Sequence, residues 1–370
     1  MNNFPAVDQI PLPAPVWLLK ALHDLTFSLH LASVGLLVGG LILALVFGVI
    51  GRMRQSSAMT QTAGMLIHRL PTVMAFVINL GIPPLLFAQV LYGRALYTSS
   101  VLIGTYWIAV IFLLMGSYYG LYIAADRAAR HRPWFAPGVA ALLLILTIAF
   151  IYSNNMTLMI RPQAWGAMYL HSPAGFQLNS ADPTLMPRWF FFMTGSFPAA
   201  GAALMLMSLR SGLDADLTRF MTRAGGLVIA VAIALQALLA QMTMAAQPSN
   251  VFSTIMGDSL YRTFVFGWLT TALLLGLLGL AALRSKGANA LVAIFVPVVA
   301  FLNIVFTVMV RDGVRDITLR IAGFDVWDRQ VASNWSVIGL FLVLLVTALV
   351  IIAWLISVVG KAKRVEGSYV

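Results

Sequence analysis

Two histidines at the head of the first long apolar segment are the residues whose type and spacing most clearly suggest chemistry. His23 and His30 are seven residues apart, so on a helix they lie on about the same face. An ionisable side chain at membrane depth is costly without a partner and commonly has a function. Because neutral imidazole is a good axial ligand for haem iron, His30 is a candidate haem ligand. The alternative is a hydrogen bond to a neighbouring helix.

The other histidines are weaker candidates. His23 lies nearer the interface and is predicted to be a surface residue or one beside the haem propionates. His68 is predicted to lie at the membrane interface and His131 to be solvated in a basic loop. His171, in a turn-rich segment, either holds its loop together or contacts a partner.

A pair of prolines interrupts the second apolar segment. Pro83 and Pro84 remove two backbone donors and are expected to kink a helix, which a membrane tolerates where neighbours or a cavity satisfy the freed carbonyls. Asn79 and Gln89, on either side of the pair, are therefore candidates for lining a site. Hydrogen bonding between helices is their commoner role.

Several kinds of active site are excluded by the sequence. The chain contains no Walker A loop, no Rossmann fingerprint, no His-Glu-x-x-His and no Gly-x-Ser-x-Gly. It also contains no cysteine, which excludes disulfides, thiolate metal sites and covalent c-type haem. A metal or haem would have to use histidine, methionine or carboxylate ligands.

The elements that must position these residues are membrane helices. Of the 370 residues 61% are hydrophobic and 9% are charged, and several apolar runs exceed the roughly 18 residues that cross a bilayer as a helix. The chain is predicted to be an all-α polytopic membrane protein, with one transmembrane domain over residues 1–370. Nine spans are expected, at about 24–50, 70–91, 101–125, 135–160, 188–209, 222–245, 261–283, 288–310 and 334–360.

The distribution of basic residues predicts the topology. Fourteen of the 23 Lys and Arg residues flank the alternate loops that begin with 51–68 and end with the C-terminal tail. Since basic residues accumulate in cytoplasmic loops, the N-terminus is expected outside and the C-terminus in the cytoplasm of a bacterial inner membrane. The net charge of +11 is thus mainly a topology signal, and nucleic acid is not an expected partner. In the last outer loop the charges of residues 311–329 nearly cancel, which predicts a paired network or a docking surface.

Several stretches resemble subunit I of the cytochrome bd quinol oxidase superfamily, and more closely its divergent non-oxidase branch, which accompanies multihaem c-type cytochromes. They are residues 11–19 with 25–30, 84–93 with 97–100, 182–185 with 187–189, and 310–312 with 334–336. The resemblance spans nearly the whole chain. It implies a membrane subunit of a respiratory or electron-transfer complex, with membrane lipid and either a periplasmic c-type cytochrome or other subunits as partners.

Carried over residue by residue, the resemblance retains one haem ligand. His30 matches the first-span histidine that ligates a b haem, whereas Gln89 falls near a haem-ligating glutamate of the oxidases. Phe191 stands where relatives have a ligating histidine, and Phe264 lies near the expected methionine. The quinol-loop motif is missing, so a quinone is left open. At most one haem b, on His30, is expected, and oxygen reduction is not.

Three functions remain open at this level. The first is a redox subunit in which Arg311 and Arg315 contact haem propionates or a partner, since guanidinium forks match carboxylates. Pairing of these arginines with Asp312 and Asp316 is the alternative. The second function is a haem-free membrane anchor. The third is a transporter, which the proline pair suggests but which the absence of a repeat does not favour.

Overall fold

The computed structural model describes residues 10–287 and 289–361 of the chain. Within these ranges the regular structure is helical and contains no strand, which confirms the predicted all-α class. The helices are α1 (Val16–Met53), α2 (Ser57–Ile67), α3 (Leu70–Leu102), α4 (Gly104–Ala129), α5 (Phe135–Met159), α6 (Pro162–His171), α7 (Leu185–Thr194), α8 (Ser196–Met207), α9 (Ala215–Ala245), α10 (Ser249–Gly257), α11 (Ser259–Leu283), α12 (Ala290–Ile321) and α13 (Trp335–Lys361), with a 3₁₀ turn at Val326–Asp328.

Nine helical segments of the described chain are long and apolar enough to cross a membrane. Helix α2 continues into α3 as one such segment, and α7 into α8 as another. The number agrees with the nine spans expected from the sequence. The protein is therefore a multi-span helical membrane protein, while the side on which each terminus lies stays a prediction.

Two predicted span ends are wrong, and both errors concern charged residues. Helix α1 begins at Val16, eight residues before the predicted start, and so includes Lys20. Helix α12 continues to Ile321, so residues 311–316 are helical and largely buried rather than in an outer loop. Their charges pair across helices, as described below. Because paired charges can be buried, the helices continue beyond the point where hydropathy falls.

Other boundaries also differ from the prediction. The predicted loops at 92–100 and 246–260 contain the end of α3 and helix α10. The prolines Pro83 and Pro84 lie inside α3 without interrupting it, and the non-helical backbone in this helix falls at Tyr92 (φ −124°, ψ 25°). The expected kink therefore lies two turns beyond the proline pair, at a residue whose side chain is fully buried.

Helix α1 is the centre of the bundle, with 67% of its most apolar stretch buried compared with 6% for α13. It contacts α2, α3, α5, α7, α8 and α12. Two glycines allow α8 to approach closely, since a Cβ on Gly39 would lie 2.6 Å from the carbonyl oxygen of Ser196. A Cβ on Gly35 would lie 2.9 Å from the Cβ of Ala199. Such close contact through small residues is typical of helix pairs in membranes.

The tight crossing of α1 and α8 gives a first testable prediction. Gly39→Ala is expected to destabilise the protein by about 1–3 kcal/mol, because the added methyl group meets backbone that cannot move without shifting α8. Gly64→Ala is the matched control, since a Cβ there meets nothing within 4 Å. Thermal unfolding of the detergent-solubilised protein measures both. Equal stability of the two variants would contradict the packing described.

Five connecting segments gather at one end of the bundle, which we call the loop-rich end: residues 10–15, 103–104, 161–184, 246–258 and 322–334. Leu12 forms a parallel bridge with Val331, and the backbone of 330–334 bonds residues 12 and 13. Asn179 bonds Arg161 and Thr157, which fixes the segment after α6. Segment 161–187 is thus tied to the end of α5, and it contains α6 and the start of α7.

Candidate functional site

The two histidines of α1 both face α3 and bond its backbone. His23 Nδ1 lies 3.1 Å from the carbonyl oxygen of Pro84, and His30 Nδ1 lies 3.1 Å from that of Val77. The separation is seven residues on each helix, so the two bonds repeat the same contact two turns apart. Gly81, between the two carbonyls, leaves room for the His30 ring, since a Cβ there would lie 2.9 Å from Cε1.

These bonds determine which ring nitrogens carry protons. A carbonyl oxygen only accepts hydrogen bonds, so Nδ1 is the protonated nitrogen of both rings. In His23 the other nitrogen, Nε2, lies 3.3 Å from Nη1 of Arg315 and accepts its proton. In His30, Nε2 bonds no group in the described ranges. Both ring nitrogens of His23 therefore form hydrogen bonds, whereas the Nε2 lone pair of His30 accepts none from the described residues.

The prediction that His23 lies at the surface is wrong. Its exposed fraction is 3%, because α1 begins a full two turns earlier than predicted and places His23 inside the bundle. Its ring stacks on Phe27, with centroids 5.9 Å apart, and Phe27 stacks in turn on His30 at 6.2 Å. The rings of His23, Phe27 and His30 therefore form a stacked row on one face of α1, which we call the aromatic column. Arg315 lies at its His23 end.

Next to His23 lies a buried group of charged residues, which we call the ion network. It consists of Lys20, Tyr92, Asp312, Arg315 and Asp316, all at most 7% exposed. Lys20 forms ion pairs with both carboxylates, and Arg315 pairs with Asp312. The Tyr92 hydroxyl lies 2.6 Å from Asp316 Oδ1 and 3.0 Å from Lys20 Nζ. The network joins α1, α3 and α12.

The ion network also reaches the loops and the bend of α3. Trp327 Nε1 donates to Asp316 at 3.3 Å, so the 3₁₀ turn is tied to α12. The Arg315 guanidinium lies 3.9 Å from the centre of the Tyr92 ring. Tyr92 thus bonds carboxylates through its hydroxyl and a cation through its face. This double attachment coincides with the non-helical backbone at Tyr92.

The hydroxyl of Tyr92 should contribute measurably to stability. Tyr92→Phe is expected to cost about 1.5–3 kcal/mol, since hydrogen bonds to charged groups are worth more than neutral ones. Tyr118→Phe is the control, because that hydroxyl is near only the Tyr122 hydroxyl, at 3.4 Å, on an exposed face. Both variants are compared by unfolding in detergent. A loss no greater than that of the control would mean that the network does not stabilise the fold.

Arg311 and Arg315 have different surroundings although they are one turn apart. Arg315 pairs with Asp312, which is the alternative considered from the sequence. Arg311 has its guanidinium carbon 4.7 Å from the centre of the Phe27 ring. The segment that contains them is a buried network rather than a docking surface at the outer loop.

The remaining sequence candidates are not close partners of His30. Gln89 is partly buried on α3 and forms no hydrogen bond in the part of the chain that the structure covers. Asn79 is exposed and bonds its own helix at Ala75. Phe191 packs on Phe192 and Trp268, and Phe264 on Tyr261.

The other three histidines are exposed. His68 follows the end of α2, His131 lies in the turn between α4 and α5, and His171 is the last residue of α6. None of them lies within the bundle beside His23 or His30.

One group among the described residues has atoms placed for a metal ion, namely His23, Asp24 and Asp312, whose ligand atoms lie within 4.8 Å of one another. Two of these three ligands are already engaged. His23 accepts from Arg315, and Asp312 pairs with both Arg315 and Lys20. Since cations of the chain occupy these positions, the donor set does not suit a metal.

The sequence indicated pairing of Asp312 and Asp316 with arginines as an alternative, but not the part that Lys20 and Tyr92 take in the network. A signal for them was present. Lys20 precedes His23 by three residues, and Asp312, Arg315 and Asp316 have the i, i+3, i+4 spacing of one helix face. Helix spacing continued through the charged residues would have placed Lys20 in the first span and the other three on one face of a later helix, but it does not show that these helices face each other.

No protein-family model matches the chain, and no curated protein sequence matches it. The resemblance to the bd superfamily therefore stays a prediction that rests on the residues quoted for it.

Proposed function

We propose that this membrane protein is a bd-like electron-transfer subunit that holds one b-type haem on His30 and passes electrons to a c-type cytochrome. The observation that carries the proposal is the state of the His30 ring. Its Nδ1 proton is donated to the Val77 carbonyl, and Nε2 bonds no group among the described residues. Ligating histidines commonly have this arrangement, because a bond at one nitrogen orients the ring and makes the other a better donor.

Of the ligand positions that the resemblance implies, His30 is the one whose side chain suits haem iron, so this chain would supply one axial ligand and not two. Gln89 has a neutral amide where the oxidases have an acid, and the phenyl rings of Phe191 and Phe264 cannot ligate iron. A haem held by His30 would supply one-electron oxidation and reduction in the membrane. The lost ligands argue against oxygen reduction, so electrons would leave to a protein partner.

The chain's own residues would orient the ligand and keep the interior rigid. Helices α1 and α3 fix the His30 ring through Val77 and Gly81. The ion network fixes the same two helices against α12, nearer the loop-rich end by about three turns of α1. The topology predicted from the basic residues puts the loop-rich end outside, where a periplasmic cytochrome would dock.

Electron transfer from the reduced chain tests the proposal. The purified protein is reduced, freed of excess reductant and mixed anaerobically with an oxidised soluble c-type cytochrome. We expect the cytochrome to be reduced by the wild-type protein and not by His30→Ala, with no oxygen consumption when air is admitted. Equal rates for the two proteins would rule out His30 as the site.

A second candidate is a haem-free anchor that holds other subunits at the membrane. It is favoured by the completeness of the packing near His23, where His23 and Arg315 are both engaged by residues of the chain. Under this proposal the purified protein is colourless, and His30→Ala retains every subunit that co-purifies with the wild type. Loss of partners on that substitution would argue against a pure anchor.

A further inference from the structure

The ion network balances its own charges. Its two cations, Lys20 and Arg315, pair with its two carboxylates, Asp312 and Asp316. Both carboxylates also accept hydrogen bonds from neutral groups. Asp316 accepts from Tyr92 and Trp327, and Asp312 Oδ1 lies 3.3 Å from the Tyr92 hydroxyl. These two acids therefore have little capacity for a further cation.

Two more arginines lie beside the network. Arg311 forms no hydrogen bond or ion pair within the described ranges, and its guanidinium lies against the Phe27 ring. Asp24, an acid close to Arg311, forms no ion pair with it, and its Oδ1 is buried without a hydrogen bond among the described residues. Arg311 is thus a cation inside the bundle without a bonded acid.

Arg188, at the start of α7, is likewise a cation without a bonded acid in the described ranges. Its Nη2 is buried and bonds no described group. Asp182 is an acid close to it, but that carboxylate accepts from the Thr184 amide at 2.7 Å, the Thr184 hydroxyl at 2.8 Å and Asn179 at 3.3 Å. Asp182 therefore stabilises its own turn.

The three guanidinium groups converge on one small cavity. Arg188, Arg311 and Arg315 line it together with three apolar residues at the end of α5, which are Met156, Met159 and Ile160. No acidic residue of the described part of the chain lines it. The cavity has a volume of about 10 Å³, enough for one water-sized atom, and it is partly open. Arg315 Nε, which is buried without a partner, adds a further unused donor.

Burial of like charges together is unfavourable unless an anion is present. The arginines repel one another, and a buried guanidinium without an acceptor loses its hydration without replacement. Two of them retain unused N–H donors. Planar guanidinium forks match the oxygen pairs of carboxylates and phosphates better than they match a spherical ion.

We propose that the cavity between Arg188, Arg311 and Arg315 is a binding site for an oxyanion, a phosphate or carboxylate group. One of its oxygens would occupy the cavity and the rest of the group the opening. The apolar residues of α5 beside the arginines suit an amphiphile, so an anionic phospholipid headgroup and a free oxyanion are the two sources. The site uses different residues from His30 and does not rest on the proposed haem.

The experiment uses the full-length protein in non-ionic detergent, washed free of lipid, with Arg188→Gln, Arg311→Gln and the control Arg320→Gln. Arg320 is exposed on α12, three turns from Arg311. In the first arm, melting temperature is followed as inorganic phosphate replaces chloride at constant ionic strength. In the second, native mass spectrometry compares retention of phosphatidylglycerol and phosphatidylcholine.

We expect the wild type and Arg320→Gln to bind the anion, and Arg188→Gln and Arg311→Gln to bind it about tenfold or more weakly, since each loses a charge-assisted bond. A response in the phosphate arm identifies a free oxyanion, and preferential retention of phosphatidylglycerol identifies a headgroup. Equal binding by all four proteins, or no binding in either arm, overturns the proposal. If Arg311→Gln does not fold, Arg188→Gln on a different helix decides.

Discussion

Asp312→Asn is expected to destabilise the protein by about 3–5 kcal/mol, because it leaves Lys20 and Arg315 buried with one carboxylate between them. The substitution preserves size, but one oxygen becomes an NH2 group that cannot accept from Lys20 or Arg315, so the loss combines the missing charge with a missing acceptor. Asp312 is 3% exposed, and solvent cannot substitute for it. Unfolding in mixed detergent micelles, followed by tryptophan fluorescence, measures the difference from wild type.

Two further variants separate charge from packing. Asp328→Asn makes the same chemical change at an exposed position beyond the end of α12 and should alter stability by less than about 0.5 kcal/mol. Adding Lys20→Met to Asp312→Asn restores the charge balance and should recover part of the loss. If the stability loss of the double variant equals the sum of the losses of Asp312→Asn and Lys20→Met measured separately, Lys20 and Asp312 are not coupled in the way the structure indicates.

His30→Ala is expected to abolish haem binding while leaving the fold in place. His30 is the one histidine of the aromatic column with a free nitrogen, so no neighbouring ring is placed to substitute. The structural cost should be about 2–4 kcal/mol, since the bond to the Val77 carbonyl and the packing of the ring on Phe27 are both lost. Haem content is measured by the pyridine haemochrome method, and folding by circular dichroism.

His23→Ala is the matched variant, with the same substitution two turns away. It removes bonds to Pro84 and Arg315 and should lower stability more than His30→Ala does, yet retain haem. Free imidazole should restore haem to His30→Gly, because it can fill the space of the lost ring. Haem retained by His30→Ala and lost from His23→Ala would reverse the assignment of the ligand.

The fold class and the number of spans could be predicted because they depend on local composition. Apolar runs of sufficient length are readable without knowledge of their neighbours. The ends of α1 and α12 could not be predicted in this way, because Lys20, Asp312 and Arg315 are buried only by virtue of one another. Pairing between residues nearly 300 positions apart leaves no trace in a hydropathy window.

The candidate site was predicted in part. The seven-residue spacing of His23 and His30 correctly indicated a shared face of α1, but not that this face meets the backbone of α3 around Pro84 and Val77. Which nitrogen of each ring is free depends on those carbonyls and on Arg315. These partners belong to α3 and α12. How these helices align against α1 cannot be deduced from a single sequence.

The haem content of the purified wild-type chain tests most directly whether His30 holds a haem. The protein is expressed with adequate haem supply, purified in detergent, and assayed for pyridine haemochrome per mole of protein. We predict close to one b-type haem per chain, with a Soret band that His30→Ala lacks. A colourless wild-type protein under these conditions would contradict the claim and leave the anchor as the function.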